Sequence, residues 1–257
     1  MKFDVDKNLS QMIAVQTDLI ISGSHSCIVM SPSDSELRGV AGIDEAGRGP
    51  LIGPLIVCGA LFEQETIHDL NGLGVKDSKV LTPKRRTQLL ESIKILASKI
   101  ELRSISASEI DRLRGQKVNL NEIEVRAFVS IAQALKPYLL YLDAADVNAQ
   151  RFGMAVSERS GLSTLGCKVV SEHKADSKYP VVSAASIVAK VERDKTIKLL
   201  HEEFGDFGSG YPSDPKTIKF VRDLLTDTGE LPNIVRHSWE SVNRIRAELK
   251  TNQLRLG

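Results

Sequence analysis

Two acids stand side by side in Gly42-Ile43-Asp44-Glu45-Ala46-Gly47-Arg48-Gly49-Pro50, where an apolar run gives way to a glycine-rich turn. Asp143 ends a second apolar run, Tyr138-Leu139-Leu140-Tyr141-Leu142, and Asp176 lies in Lys174-Ala175-Asp176-Ser177-Lys178, ahead of a long helical pattern. Acids at the ends of separate strands can converge on one point. At an effective dielectric of ~20, two unit charges ~4 Å apart repel by about 4 kcal/mol, so a folded site that gathers carboxylates needs a proton or a cation between them. Carboxylate oxygens suit hard Mg²⁺ or Mn²⁺, and two such ions about 3.5–4 Å apart can activate a water, neutralise a phosphoryl oxygen and steady a leaving oxygen. Hydrolysis of a phosphodiester is therefore the chemistry within reach. Taken singly, each acid could equally cap a turn or close a strand.

The elements that must position these acids alternate between strand and helix, the pattern of an α/β domain. Val40 to Asp44 and Leu55 to Phe62 read as the first two strands, and Ile100 to Ile105 as the third. Thr82-Pro83 has the form of an N-cap with proline at the first helical position, and Asn119 or Asn121 caps a helix with apolar positions Ile123, Ala127, Ile131 and Leu135. The fourth strand ends at Asp143. A helix near 150–158 and a strand near 167–171 follow. Pro180 opens the longest helix, which runs to about Phe204 with Gly205 as its C-cap; beyond it only helices are expected, at 215–225 and 237–249. Alternation along a strand sends Asp44 and Glu45 to opposite faces, so Glu45 can join Asp44 only if the strand bends or ends there, for which Ala46-Gly47 is suited.

At 257 residues, with 42% hydrophobic and 26% charged, the chain can bury a sizeable core. Lys plus Arg total 34 against 33 acids, so no global basic excess announces a nucleic-acid partner. Basic residues cluster locally instead: Lys84, Arg85 and Arg86; Lys168, Lys174 and Lys178; and Lys190, Arg193, Lys195 and Lys198. On charge alone these read as solvated helix faces. Cys27, Cys58 and Cys167 lack CxxC spacing, and Cys58 lies in an apolar run, which suits a reduced intracellular protein. No stretch has the length of a membrane span, and Gln16, Thr17 and Asp18 interrupt the early apolar segment, so a cytoplasmic protein is expected. Residues 1–37 lack sustained periodicity and are read as an extension, with Met30 an alternative start.

Six segments in order carry a resemblance: GIDEAGRGPLIGP from 42, VKDSKVLTPKRR from 75, LNEIE from 120, YLDAADVN from 141, SEHKADSKYPVVSAASIVAKVERD from 171 and DFGSGYPSDPKT from 206. In these, from about Val40 to about Ile245, the chain resembles type 2 ribonucleases H (ribonuclease HII), closest to their archaeal branch. The resemblance implies a ribonuclease H-like core at 38–205, with a mixed central sheet flanked by helices, and a C-terminal helical subdomain at 206–257. Asp44, Glu45, Asp143 and Asp176 match the family's four acids one for one. It implies that Asp44 and Asp143 serve both of two Mg²⁺ or Mn²⁺ ions, Glu45 the ion on the leaving-group side and Asp176 the ion that activates water.

The implied activity is cleavage of the RNA strand of RNA/DNA hybrids, and of duplex DNA on the 5′ side of an embedded ribonucleotide, leaving 3′-hydroxyl and 5′-phosphate ends. The 2′-hydroxyl is what distinguishes RNA at a given position. Gly47-Arg48-Gly49 offers close backbone approach, and Tyr211 resembles the family tyrosine whose ring packs on the sugar next to a ribonucleotide and whose hydroxyl reaches the 2′-oxygen. Lys79, Lys174 and Lys178 are candidate phosphate contacts or partners of the carboxylates. His173 reads as a surface or strand-end histidine, and Trp239 as an anchor for the terminal helix. Two alternatives stay open. One is a ribonuclease HIII, disfavoured by Arg48 and by a leader too short for that family's extra domain; the other is a non-catalytic hybrid-binding module. A monomer is expected, and the last eight residues lack the aromatic pair of a sliding-clamp peptide, so no strong clamp binding is expected through them.

Overall fold

The computed structural model describes residues 37–75 and 81–256. The leader to residue 36, Cys27 and Lys79 lie outside them. A five-stranded mixed sheet forms the centre, in the order β3-β2-β1-β4-β5. β1 (Val40–Ala46) pairs antiparallel with β2 (Leu55–Phe62), which pairs antiparallel with β3 (Lys99–Ile105). On its other side β1 runs parallel to β4 (Leu139–Asp143), which runs parallel to β5 (Lys168–Glu172). The register Ile43↔Leu142 sets Asp44 and Asp143 next to each other at the C-terminal ends of two parallel strands. Ligands of open α/β sheets bind at such ends.

The helices follow local signals. After a short α1 (Ile67–Gly72), α2 (Pro83–Leu96) starts on Thr82, whose side chain accepts from Arg85 N. α3 (Ala107–Gly115) was not expected; it starts on Ser106, which accepts from Glu109 N. Asn119, rather than Asn121, caps α4 (Leu120–Leu135) by accepting from Glu122 N at 2.9 Å. α5 (Ala149–Arg159) covers the same face as α4, and the single turn α6 (Ala175–Lys178) precedes the long α7 (Pro180–Phe204), capped by Gly205. α8 (Pro215–Asp227) and α9 (Glu240–Leu256) follow, both running past their expected ends.

Strand alternation divides the core in two. Ala41, Ile43, Leu140 and Leu142 pack with Ile123, Phe128 and Ile131 of α4 on one face. Val40, Ala46 and Cys58 pack with Val181, Ala185 and Val188 of α7 on the other. α7 lies so close that a Cβ at Gly42 would fall 2.3 Å from the backbone of Val181 and Val182, and only glycine permits that approach. A third cluster joins Phe207, Val221, Val235 and Val242 to Leu51, Ile52, Ile197 and Leu200, tying α8 and α9 to the loop after β1 and the end of α7.

Candidate active site

Carboxylate oxygens of Asp44, Asp143 and Asp176 lie within 4.8 Å of one another. Asp44 comes from β1 beside Asp143 at the end of β4, and Asp176 from α6, where the left-handed Lys174 (φ 58°) starts the turn. That turn brings Ala175 N within 3.2 Å of Asp143 Oδ1. Asp44 accepts from the backbone amide of Glu45 at 2.7 Å and from the Ser186 hydroxyl on α7. Asp44 and Asp176 are buried.

Glu45 is not one of these three, yet its carboxyl hydrogen-bonds with the Asp44 side chain. β1 does not end at Asp44 but continues through Ala46, with Glu45 paired to Val57; the break comes at Gly47, whose φ is +88°. Alternation starts the Glu45 side chain on the α4 side, and its carboxyl still reaches round to hydrogen-bond with Asp44 and feels Asp143 and Arg48. Burial first, then Glu45 and Asp143, push the Asp44 carboxyl well above the usual range. Burial first, then Asp143, raise Glu45 to about 7. The trio fits a divalent cation: it offers hard oxygen donors from three elements, at a spacing one ion can span.

Beside the acids, Arg48 is held from behind. It donates to Asn121 Oδ1 at 2.7 Å and forms an ion pair with Glu124, which is fully buried on α4. Asn121 donates in turn to Asp146 at 3.1 Å, and Asp146 takes both contacts from Arg151. Tyr211 is 39% exposed; its ring lies 5.2 Å from the Arg193 guanidinium, and a Cβ at Gly49 would come within 3.8 Å of it. The glycine–arginine–glycine loop and Tyr211 thus form two sides of one opening. Lys178 is ion-paired to Glu172, which also accepts from Tyr179. Lys174 is exposed. His173 is exposed and meets Val147 O at 3.2 Å, a surface residue as expected.

Arg193 corrects the reading of its cluster as a solvated face: it is 7% exposed, and its Nη2 reaches Ile52 O. Sequence reasoning also passed over Arg236 and Glu124, and read Asn121 only as a candidate helix cap.

Comparison with known proteins agrees with this geometry. The family model described as Ribonuclease HII matches residues 41–242. Ribonuclease HII of Pyrococcus abyssi is 47% identical over 219 residues, covering 84% of this chain and 95% of the relative. The crystal structure of ribonuclease H2 from Pyrococcus horikoshii superposes with a TM-score of 0.76 at 40% identity, over 82% of this chain and 98% of that one. A ribonuclease HII of Archaeoglobus fulgidus, solved in complex with PCNA, gives 0.73 at 42% identity, over 80% and 96% of the two chains. Among the described residues no helix is long and apolar enough to cross a membrane. With its matching model, its relatives and its carboxylates at the ends of parallel strands, the chain belongs to the ribonuclease HII family.

Proposed function

We propose that the protein is a divalent-cation-dependent endoribonuclease that cuts the RNA strand of RNA/DNA hybrids and nicks duplex DNA on the 5′ side of an embedded ribonucleotide. The observation that carries this reading is the convergence of Asp44, Asp143 and Asp176 beside the loop of Gly47, Arg48 and Gly49. Asp44, Asp143 and Asp176 would hold a cation, with Glu45, hydrogen-bonded to Asp44, serving a second. Bound there, Mg²⁺ or Mn²⁺ supplies charge neutralisation at the phosphoryl group and a lower pKa for water.

The chain's own residues do the orienting. Ser186 and the Glu45 amide fix the rotamer of Asp44, and the Ala175 amide fixes that of Asp143. Arg48, braced by Glu124 and Asn121, presents its remaining edge to a phosphate. Tyr211, resting on Arg193, closes on the sugar that follows the ribonucleotide. Lys174 and Lys178 flank the path of the backbone, and Lys178 must exchange Glu172 for phosphate to join it. A sliding clamp, as bound by the A. fulgidus relative, is a candidate partner engaged outside residues 250–257.

The test is a DNA duplex carrying one ribonucleotide, incubated with Mg²⁺, with Mn²⁺ and with chelator. Metal-dependent nicking 5′ to the ribonucleotide supports the reading. Cleavage of a continuous hybrid alone would point to another ribonuclease H type, and cation-independent binding without cleavage would favour a hybrid-binding module.

A further inference from the structure

Three consecutive carbonyls of the glycine–arginine–glycine turn are held from one side. Arg236 Nη2 donates to Gly47 O at 2.6 Å, its Nη1 to Arg48 O at 2.9 Å and its Nε to Gly53 O at 3.1 Å. Trp239 Nε1 donates to Gly49 O at 3.3 Å, and its ring lies 4.8 Å from the Arg236 guanidinium. Arg236 is the largest of the fully buried side chains. Among the described residues no carboxylate forms an ion pair with it, so its charge is spent on backbone oxygens. Burial, and then the nearby Arg193, lower its pKa to about 9, which leaves it charged at neutral pH. A buried, unpaired cation is costly to keep.

The planarity of the peptide explains what it achieves. Across a trans peptide the C=O of one residue and the N–H of the next point in opposite directions. Drawing the carbonyls of Gly47 and Arg48 inward therefore turns the amides of Arg48 and Gly49 outward, on the side where Gly49 meets Tyr211. Successive outward amides form a concave pair of donors. The positive φ of Gly47 lets the chain make that turn, and a Cβ there would strike Arg193 and Pro54 O at 2.6 Å.

We propose that Arg236 is a positioning residue for ribose recognition, fixing the amides of Arg48 and Gly49 as a donor pair that meets the 2′-hydroxyl of the substrate. This rests on the proposed function, in which that loop faces the ribonucleotide. Trp239 supplies an internal control: the carbonyl it holds precedes Pro50, which has no N–H to orient.

The test uses the full chain with Ca²⁺ in place of Mg²⁺, to measure binding without turnover. Affinity is read for a DNA duplex with one ribonucleotide and for the same duplex without it, well below each variant's melting temperature. The wild type should prefer the ribonucleotide duplex. Arg236→Lys keeps the charge, but one ammonium cannot span three carbonyls; it should lower the preference by about five- to tenfold, the worth of one or two hydrogen bonds, with little change in all-DNA affinity. Trp239→Phe should keep the preference even if it melts lower. An Arg236→Lys variant with the wild-type preference, or an equal loss in Trp239→Phe, would overturn the proposal. A wild type that does not distinguish the duplexes would remove the ribose-reading function beneath it as well.

Discussion

The carboxylate cluster and the glycine–arginine–glycine loop adjoin in the chain, yet they are built in opposite ways. The acids bury like charges, and Asp44 and Glu45 are pushed far above their ordinary pKa values. In the loop, the carbonyls of Gly47, Arg48 and Gly49 each have a donor, and the Arg48 guanidinium has Glu124 and Asn121. The first region gathers oxygen donors that could hold a cation; the second is held by the protein's own donors. The difference teaches where each should be sensitive: the acids to cations and pH, the loop to the buried groups behind it.

The largest effect should come from removing one acid. Asp143→Asn should cut nicking by about 10³-fold or more, since the cation it helps hold contributes several kcal/mol to the transition state. In chelator the same variant should melt higher, by ~2–4 °C for each kcal/mol of repulsion relieved. Loss of activity with a lower metal-free melting temperature would erase the contrast between the regions.

On the loop side, Arg48→Met leaves Glu124 buried without its cation and should cost about 3–5 kcal/mol by chemical denaturation. Adding Glu124→Leu should recover most of that stability but not the affinity for hybrid. If the double variant is no more stable than the single one, the ion pair is not what braces Arg48.

A pH series separates the regions further. Glu45 has a folded pKa near 7 against an ordinary 4.5, so its own contribution to metal-free stability is complete below pH 4.5, is lost as pH rises toward 7 and levels off above. The rise in melting temperature caused by Mg²⁺ should accordingly be larger at pH 7.5 than at pH 5.5, and a shift independent of pH would contradict the assignment. The smallest effect is expected from Tyr211→Phe, about fivefold on nicking at a single ribonucleotide if one hydrogen bond is lost. Replacement by alanine should cost more, because the face stacked on Arg193 goes as well.

Local signals made much of this legible. Caps at Thr82, Asn119 and Gly205 announced their helices because a cap is a short-range bargain between a side chain and its own backbone. α3 escaped notice although Ser106-Ala107-Ser108-Glu109 has a capping-box spacing; with only Ala107 and Ile110 buried, it shows little periodicity. The acids were readable because each closes an apolar run or opens a turn. Arg193, Arg236 and Glu124 were not: each looks like an ordinary surface charge until residues from distant parts of the chain cover it. Arg236 acts on Gly47 from across 189 positions, a relation no periodicity records.

Asp143 raises both Asp44 and Glu45, a repulsion that an entering cation would relieve. Calorimetric titration of the full chain with Mn²⁺ at pH 6, in two buffers of different ionisation enthalpy, tests it directly. The account predicts binding that releases protons at pH 6, releases fewer at pH 8, and is lost in Asp143→Asn. Binding without proton release at pH 6, or binding undisturbed in that variant, would contradict it.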